Sequence, residues 1–129
     1  MLFINIPSHI KEKDRVLSYV VKLCQELNVH RLRNREITIR FRNVMDDDAW
    51  GYCNGDTHDI DIDINRTIPF EDQMQTLAHE MVHAKQFLRK ELDGNLWKKR
   101  NYDNVEYDDQ PWEKEANRLE KKLYKRCFL

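Results

Sequence analysis

The sequence predicts an α+β fold with an N-terminal helix, a small three-stranded sheet, a long central helix and a C-terminal helix. Three observations carry that expectation. Residues 36–42 and 58–65 alternate apolar and polar side chains with a period of two, as half-buried strands do. Residues 70–92 contain neither Gly nor Pro and repeat apolar side chains at the spacing of one helix face. Residues 111–126 open on a proline, which suits a first helical turn, and contain no other helix breaker.

Taken in order, Ser8 is placed to cap a first helix reaching about Asn28, with Ile10, Leu17, Val20, Cys24 and Leu27 as its buried stripe. Residues 31–35 are a polar connection. In the first strand Ile37, Ile39 and Phe41 share one face, and Thr38, Arg40 and Arg42 the other. Residues 49–53 form a second short strand, followed by the turn chemistry of Asn54-Gly55-Asp56. In the third strand Ile60, Ile62 and Ile64 alternate with Asp59, Asp61 and Asp63. Such alternation spreads carboxylates along a solvated face, whereas a calcium loop wraps them around a point with a glycine in the middle. Asp46-Asp47-Asp48 reads as a loop on the same reasoning.

Pro69 stands just ahead of the central helix, where a missing N–H does no harm. Glu71 and Asp72 lie at the positive end of its dipole, and Asp93-Gly94 is the expected stop. Residues 96–107, with Trp97, Tyr102, Val105 and Tyr107, read as a hairpin or an ordered lid beside it. Pro111, with Asp108 and Asp109 ahead of it as caps, opens the last helix, which runs to about Arg126.

The chemistry is concentrated in His79-Glu80-Met81-Val82-His83, an H-E-x-x-H run on the central helix. Imidazoles four residues apart on a helix point the same way and can reach one metal ion. Glu80 lies beside that ion without having to bind it, placed to take a proton from water. Two solvated or core-satisfied histidines are the plain alternative. They fit poorly, because Leu77, Ala78, Met81 and Val82 form a core stripe on nearly the opposite side, leaving both histidines and Glu80 on one polar flank. A catalytic zinc needs a third protein ligand and an open position. The other histidines are His9, His30 and His58, and none follows His83. A carboxylate is then expected, and residues 111–117 (P-W-E-K-E-A-N) offer two, Glu113 and Glu115. A helix turns about 200° over two residues, so only one of them can face the metal. Glu113 and Asn117 lie four apart on one face, so the first can bind metal while the second reaches a ligating histidine. Ala116 between them lets two helices approach closely. Gln86, one turn past His83, is either a support for the site or ordinary surface.

Composition bounds the rest. The chain of 129 residues is expected to form a single domain, residues 1–129, with one modest core. Charged residues make up 35% of it at a formal net charge of -1, so there is no overall pull toward nucleic acid. The basic clusters at 98–100 and at Lys121, Lys122, Lys125 and Arg126 read as solvated faces. Cys24, Cys53 and Cys127 are odd in number and widely spaced, which points to free thiols in a reducing compartment, hence the cytoplasm. No apolar run reaches membrane length, and residues 1–7 are too short for a signal peptide.

His79-Glu80-x-x-His83, followed about thirty residues later by Glu-x-Glu-Ala-Asn, resembles the gluzincin branch of zinc metallopeptidases. The nearest likeness is to the small ImmA/IrrE-type proteins and to compact phage-encoded metallopeptidase-like proteins carrying H-E-x-V-H-x-K-Q and P-W-E-x-E-A. The matched letters lie between Thr76 and Asn117. The resemblance implies a minimal zincin-like fold and a zinc-dependent metalloendopeptidase. Zn²⁺ would be held by His79, His83 and Glu113, with Glu80 as general base. It implies an aspartate at 117 bonded to a ligating histidine; this chain has Asn117, which can accept through its carbonyl but carries no charge. It also implies a peptide or protein substrate laid along an edge strand, either 59–64 or its sheet neighbour. An oxyanion needs a stabilising donor, and Tyr107, Tyr102 and His58 are the candidates. Two readings without turnover are the alternatives: a zinc-stabilised binding module, with Cys53 or His58 as a fourth ligand closing the site, and a regulator that keeps the protease-like fold but acts by binding a partner.

Overall fold

The computed structural model describes residues 2–129. Strands β1 (Leu2–Asn5), β2 (Arg35–Arg42), β3 (Gly51–Gly55) and β4 (Asp59–Asn65) form one sheet in the order β1-β2-β4-β3. β1 and β4 run parallel to β2, while β3 runs antiparallel to β4. Helices α1 (Lys13–Glu26), α2 (Phe70–Leu88) and α3 (Pro111–Cys127) complete the main body. Between α2 and α3 the chain makes a small meander of β5 (Leu92–Asp93), β6 (Leu96–Trp97) and β7 (Arg100–Asn101). The α+β class read from the sequence is the class observed.

Period-two alternation builds the core. Ile37, Ile39, Ile60, Ile62 and Ile64 are all but sealed from solvent and meet Val16, Tyr19, Val20 and Leu23 of α1 and Met74, Leu77, Ala78 and Met81 of α2. Their neighbours Asp59 and Asp61 are exposed on the opposite face, and Arg40 and Arg42 pair with Asp61 and Asp63 there. The aspartate row is thus the solvated face of the sheet. The Tyr19 hydroxyl donates to the Met74 carbonyl at 2.8 Å, tying α1 to α2 from inside.

Four expectations need correction. The sheet has a fourth strand, because residues 2–5 pair with residues 35–38, a long-range match that four residues cannot announce. The first helix starts at Lys13, not Ser8; residues 8–12 turn instead, with Glu12 in the left-handed region at φ 51°. That later start moves Ile10 off the helix, and Leu17 is 36% exposed, with Val16 and Tyr19 carrying the stripe in its place. α2 stops at Leu88, short of Leu92. Lys90 takes φ 60°, its N–H bonds the Phe87 carbonyl and the Glu91 N–H bonds the Gln86 carbonyl. This pair of bonds is a Schellman stop, made one turn before the expected Asp93-Gly94. Gly94, at φ 60°, serves the turn between β5 and β6.

The meander bears out the hairpin expected in residues 96–107, with Trp97 and Tyr102 packed on Trp112 of α3 at 6.4 and 6.1 Å between ring centroids. Both basic clusters are exposed, and the three cysteines are free. Among the described residues, no helix is long and apolar enough to cross a membrane. A left-handed lysine at a helix stop carries a steric cost of about 1–2 kcal/mol that glycine does not. Lys90→Gly is therefore expected to stabilise the fold by about 1 kcal/mol in urea denaturation. A loss of stability would contradict this account of the α2 terminus.

Candidate metal centre

α2 and α3 lie side by side and antiparallel, since Gln86 bonds Trp112 while Gln75 bonds Glu120. Ala116, fully buried, allows the close approach expected of it. α2 sets the His79 and His83 rings edge to face, 4.9 Å between centroids. One turn before Ala116, Glu113 reaches both: its Oε1 lies 3.1 Å from His79 Nε2 and 3.2 Å from His83 Nε2. One donor atom from each of the three lies within 4.8 Å of the others. Ligands about 2.0–2.1 Å from a tetrahedral zinc are themselves roughly 3.3 Å apart, and both nitrogen–oxygen distances here are close to that. Glu115 points elsewhere, to Lys85 Nζ at 2.7 Å and Gln86 Nε2 at 3.1 Å. Of the two carboxylates, Glu113 is the one at the histidines.

Each imidazole is held from behind at Nδ1. Glu120 Oε1 lies 3.4 Å from His79 Nδ1, and Gln75 donates to the other oxygen of Glu120 at 3.0 Å. Gln86 Oε1 lies 2.8 Å from His83 Nδ1. Asn117, expected in this role, is exposed. The reason is angular. Seven residues bring Glu120 back to within about 20° of Glu113, whereas Asn117 is rotated about 40° the other way. A carboxylate seven residues past Glu113 is the signal that sequence reasoning passed over.

Glu80 takes no part in the bonds between Glu113 and the histidines. It is buried, and burial pushes its carboxyl up to about 7, against the opposing charges of His83 and His79. It lines a cleft of about 600 Å³ together with Gly51 and Cys53 of β3, Tyr107 and the three metal-site residues. Gly51 is a site residue the sequence did not announce. A Cβ there would fall 2.5 Å from Thr76 Cγ2 and 3.0 Å from Glu80 Oε2, so only glycine lets β3 lie this close to α2. β3 is also the sheet edge, whereas 59–64 (β4) is interior, paired on both sides. Of the three oxyanion candidates, Tyr107 reaches the site and donates to Glu113 Oε1 at 2.9 Å. Tyr102 packs its ring on Trp112 and does not line the cleft, and His58 is exposed beside the Thr57 hydroxyl at the start of β4.

No protein-family profile, curated protein or solved structure matches the chain.

In the metal-free protein these groups hold one another in charged forms. Burial alone would lower His79, but hydrogen bonds to Glu113 and Glu120 and the nearby Glu80 charge outweigh it and raise the imidazole from 6.5 to about 10. Burial alone would raise Glu113, but hydrogen bonds from His79 and His83 bring its carboxyl from 4.5 to about 2. The stability from a lowered carboxyl is present above its unfolded value and lost as pH falls; that from a raised imidazole is present below its unfolded value and lost as pH rises. The metal-free fold therefore gains most from the His79–Glu113 pair between pH 4.5 and 6.5. A metal ion held here would have to displace the imidazole protons, so its apparent affinity is expected to climb as pH rises from 6 toward 10. Zinc titrations against a competing chelator at a series of pH values check this; an affinity that ignores pH would contradict it.

Proposed function

We propose that this protein is a zinc-dependent metallopeptidase of gluzincin type. The observation that carries the reading is the meeting of Glu113 with both His79 Nε2 and His83 Nε2, beside a separate buried Glu80 and an open cleft. His79, His83 and Glu113 would hold the ion. Zinc bound there lowers the pKa of a water toward about 7 and polarises a substrate carbonyl. Glu80 carries the proton chemistry: its carboxylate takes a proton from the attacking water and passes it to the leaving nitrogen. Burial holds this carboxyl above its ordinary value, which strengthens it as a proton acceptor. The Tyr107 hydroxyl, in the same cleft, is the donor available to a developing oxyanion.

The substrate is a peptide or protein segment laid along β3. Bonds from β3 to β4 run through Trp50 and Asp56, so by alternation residues 51, 53 and 55 turn their N–H and C=O groups to the open edge. An extended peptide can pair with that edge and pass its backbone in front of Glu80. We place the activity in the cytoplasm, where the free thiols Cys24, Cys53 and Cys127 are at home. A zinc-stabilised binding module would need a fourth protein ligand. Among the described residues the metal-competent group holds three, without Cys53 or His58, and a module leaves Glu80 without a task.

Glu80→Gln is expected to keep zinc and fold while losing about 10²–10⁴-fold in hydrolysis of a fluorogenic peptide, the usual worth of general-base assistance. A zinc-loaded Glu80→Gln protein that cleaves at the unmutated rate would overturn the assignment. Tight zinc binding with no cleavage by the unmutated protein, over a broad peptide set, would favour a reading without turnover.

A further inference from the structure

Gln86 is fully buried, one turn beyond His83, yet it is a polar side chain with both ends engaged. Its Oε1 is 2.8 Å from His83 Nδ1, and its Nε2 is 3.0 Å from the Trp112 carbonyl and 3.1 Å from Glu115 Oε1. We propose that Gln86 is a positioning residue that sets the tautomer of His83, with Lys85 and Glu115 locking its amide the right way round. The inference rests on the metal reading of the site and says how this chain prepares one of its ligands.

The argument is one of donors and acceptors. A backbone carbonyl and a carboxylate can only accept, so both partners at one end of Gln86 require its NH₂ group. The amide oxygen must then face His83. An amide oxygen only accepts, so His83 Nδ1 carries the proton and donates it. That leaves the lone pair on Nε2, the atom aimed at Glu113, free for a metal ion. Glu115 can do its part only as an anion held in place. Lys85 Nζ holds it at 2.7 Å and bonds Glu91 at 2.7 Å as well, with the Lys85 side chain only 14% exposed. The chain of bonds runs Lys85 to Glu115 to Gln86 and ends at Nδ1 of His83, across the ring from the ligand atom.

The two ligands are prepared differently. His79 is backed by the carboxylate of Glu120 at 3.4 Å, whereas His83 is backed by a neutral amide at 2.8 Å. A backing carboxylate can take up charge from its imidazole, while a neutral amide fixes only orientation and tautomer. The pattern also assigns a task to Glu115, the carboxylate the metal does not use.

Histidine ¹⁵N correlation spectra of the full-length protein test the tautomer directly. In metal-free protein at alkaline pH, and again with zinc bound, His83 should show a proton on Nδ1 that exchanges slowly with solvent. Gln86→Met keeps the side-chain volume but removes the acceptor. It should speed that exchange and weaken zinc binding about 10–100-fold, the usual range for losing a partner behind a ligand. Glu115→Gln, which leaves the Trp112 carbonyl to orient Gln86, should weaken it less. A neutral His83 ring in the unmutated metal-free protein at alkaline pH that carries its one proton on Nε2 and none on Nδ1 overturns the proposal, as does a folded Gln86→Met variant that binds zinc with unchanged affinity. Should Gln86→Met fail to fold, the unmutated spectrum decides alone. A protein with the Nδ1 proton but no affinity for zinc would defeat the metal reading and leave the tautomer assignment standing.

Discussion

The contact of α3 on α2 is the constraint from which the site follows. Each helix carries only part of the candidate metal site: two imidazoles on one, a carboxylate on the other. Joined antiparallel over the buried Ala116, they press Glu113, His79 and His83 together, with Glu120 and Gln86 bracing the rings from outside. Grouping ionisable side chains in a poorly solvated place is costly unless each finds a partner. Here the histidines and Glu113 satisfy one another by hydrogen bonds, so the metal-free fold tolerates them, and an ion would replace protons in a cluster already assembled. Readiness of that kind limits the rearrangement a metal has to drive.

The sheet supplies the second wall of the cleft. Its order puts β4 inside and β3 at the edge, and β3 is narrow on the side that meets α2 because Gly51 carries no Cβ. Any larger residue would push the edge strand away from Glu80. The same closeness buries Glu80 and raises its carboxyl, so a backbone requirement at one residue tunes the proton affinity of another. The free backbone groups of β3 then run past the carboxylate that the proposed mechanism uses.

Legibility in the sequence followed distance along the chain. H-E-x-x-H was readable because its geometry is that of one helical turn, and the strand alternation was readable because its period is local. Glu113 was reachable through a proline-started helix and a resemblance, and it does meet the histidines. Glu120 was missed as the partner of a ring, and Gln86 was left between support and surface, because their roles depend on how two helices dock, to within a few tens of degrees. The same holds for β1, whose four residues have meaning only against β2. Two boundary errors have a different origin: Glu12 and Lys90 adopt left-handed conformations that their residue types do not advertise, and each moves a helix end. The open choice between Glu113 and Glu115 was a choice of helix face, which only the docked pair of helices could make.

The central claim is that one metal ion is held by His79, His83 and Glu113 with Glu80 beside it. The most direct measurement is a crystal of the zinc-loaded protein with anomalous scattering recorded at the zinc edge. The account predicts a single peak within bonding distance of His79 Nε2, His83 Nε2 and a Glu113 oxygen, with a solvent molecule completing the coordination and Glu80 outside it. A peak bound by Glu115 or closed off by Cys53, or no peak between the two helices, would contradict it.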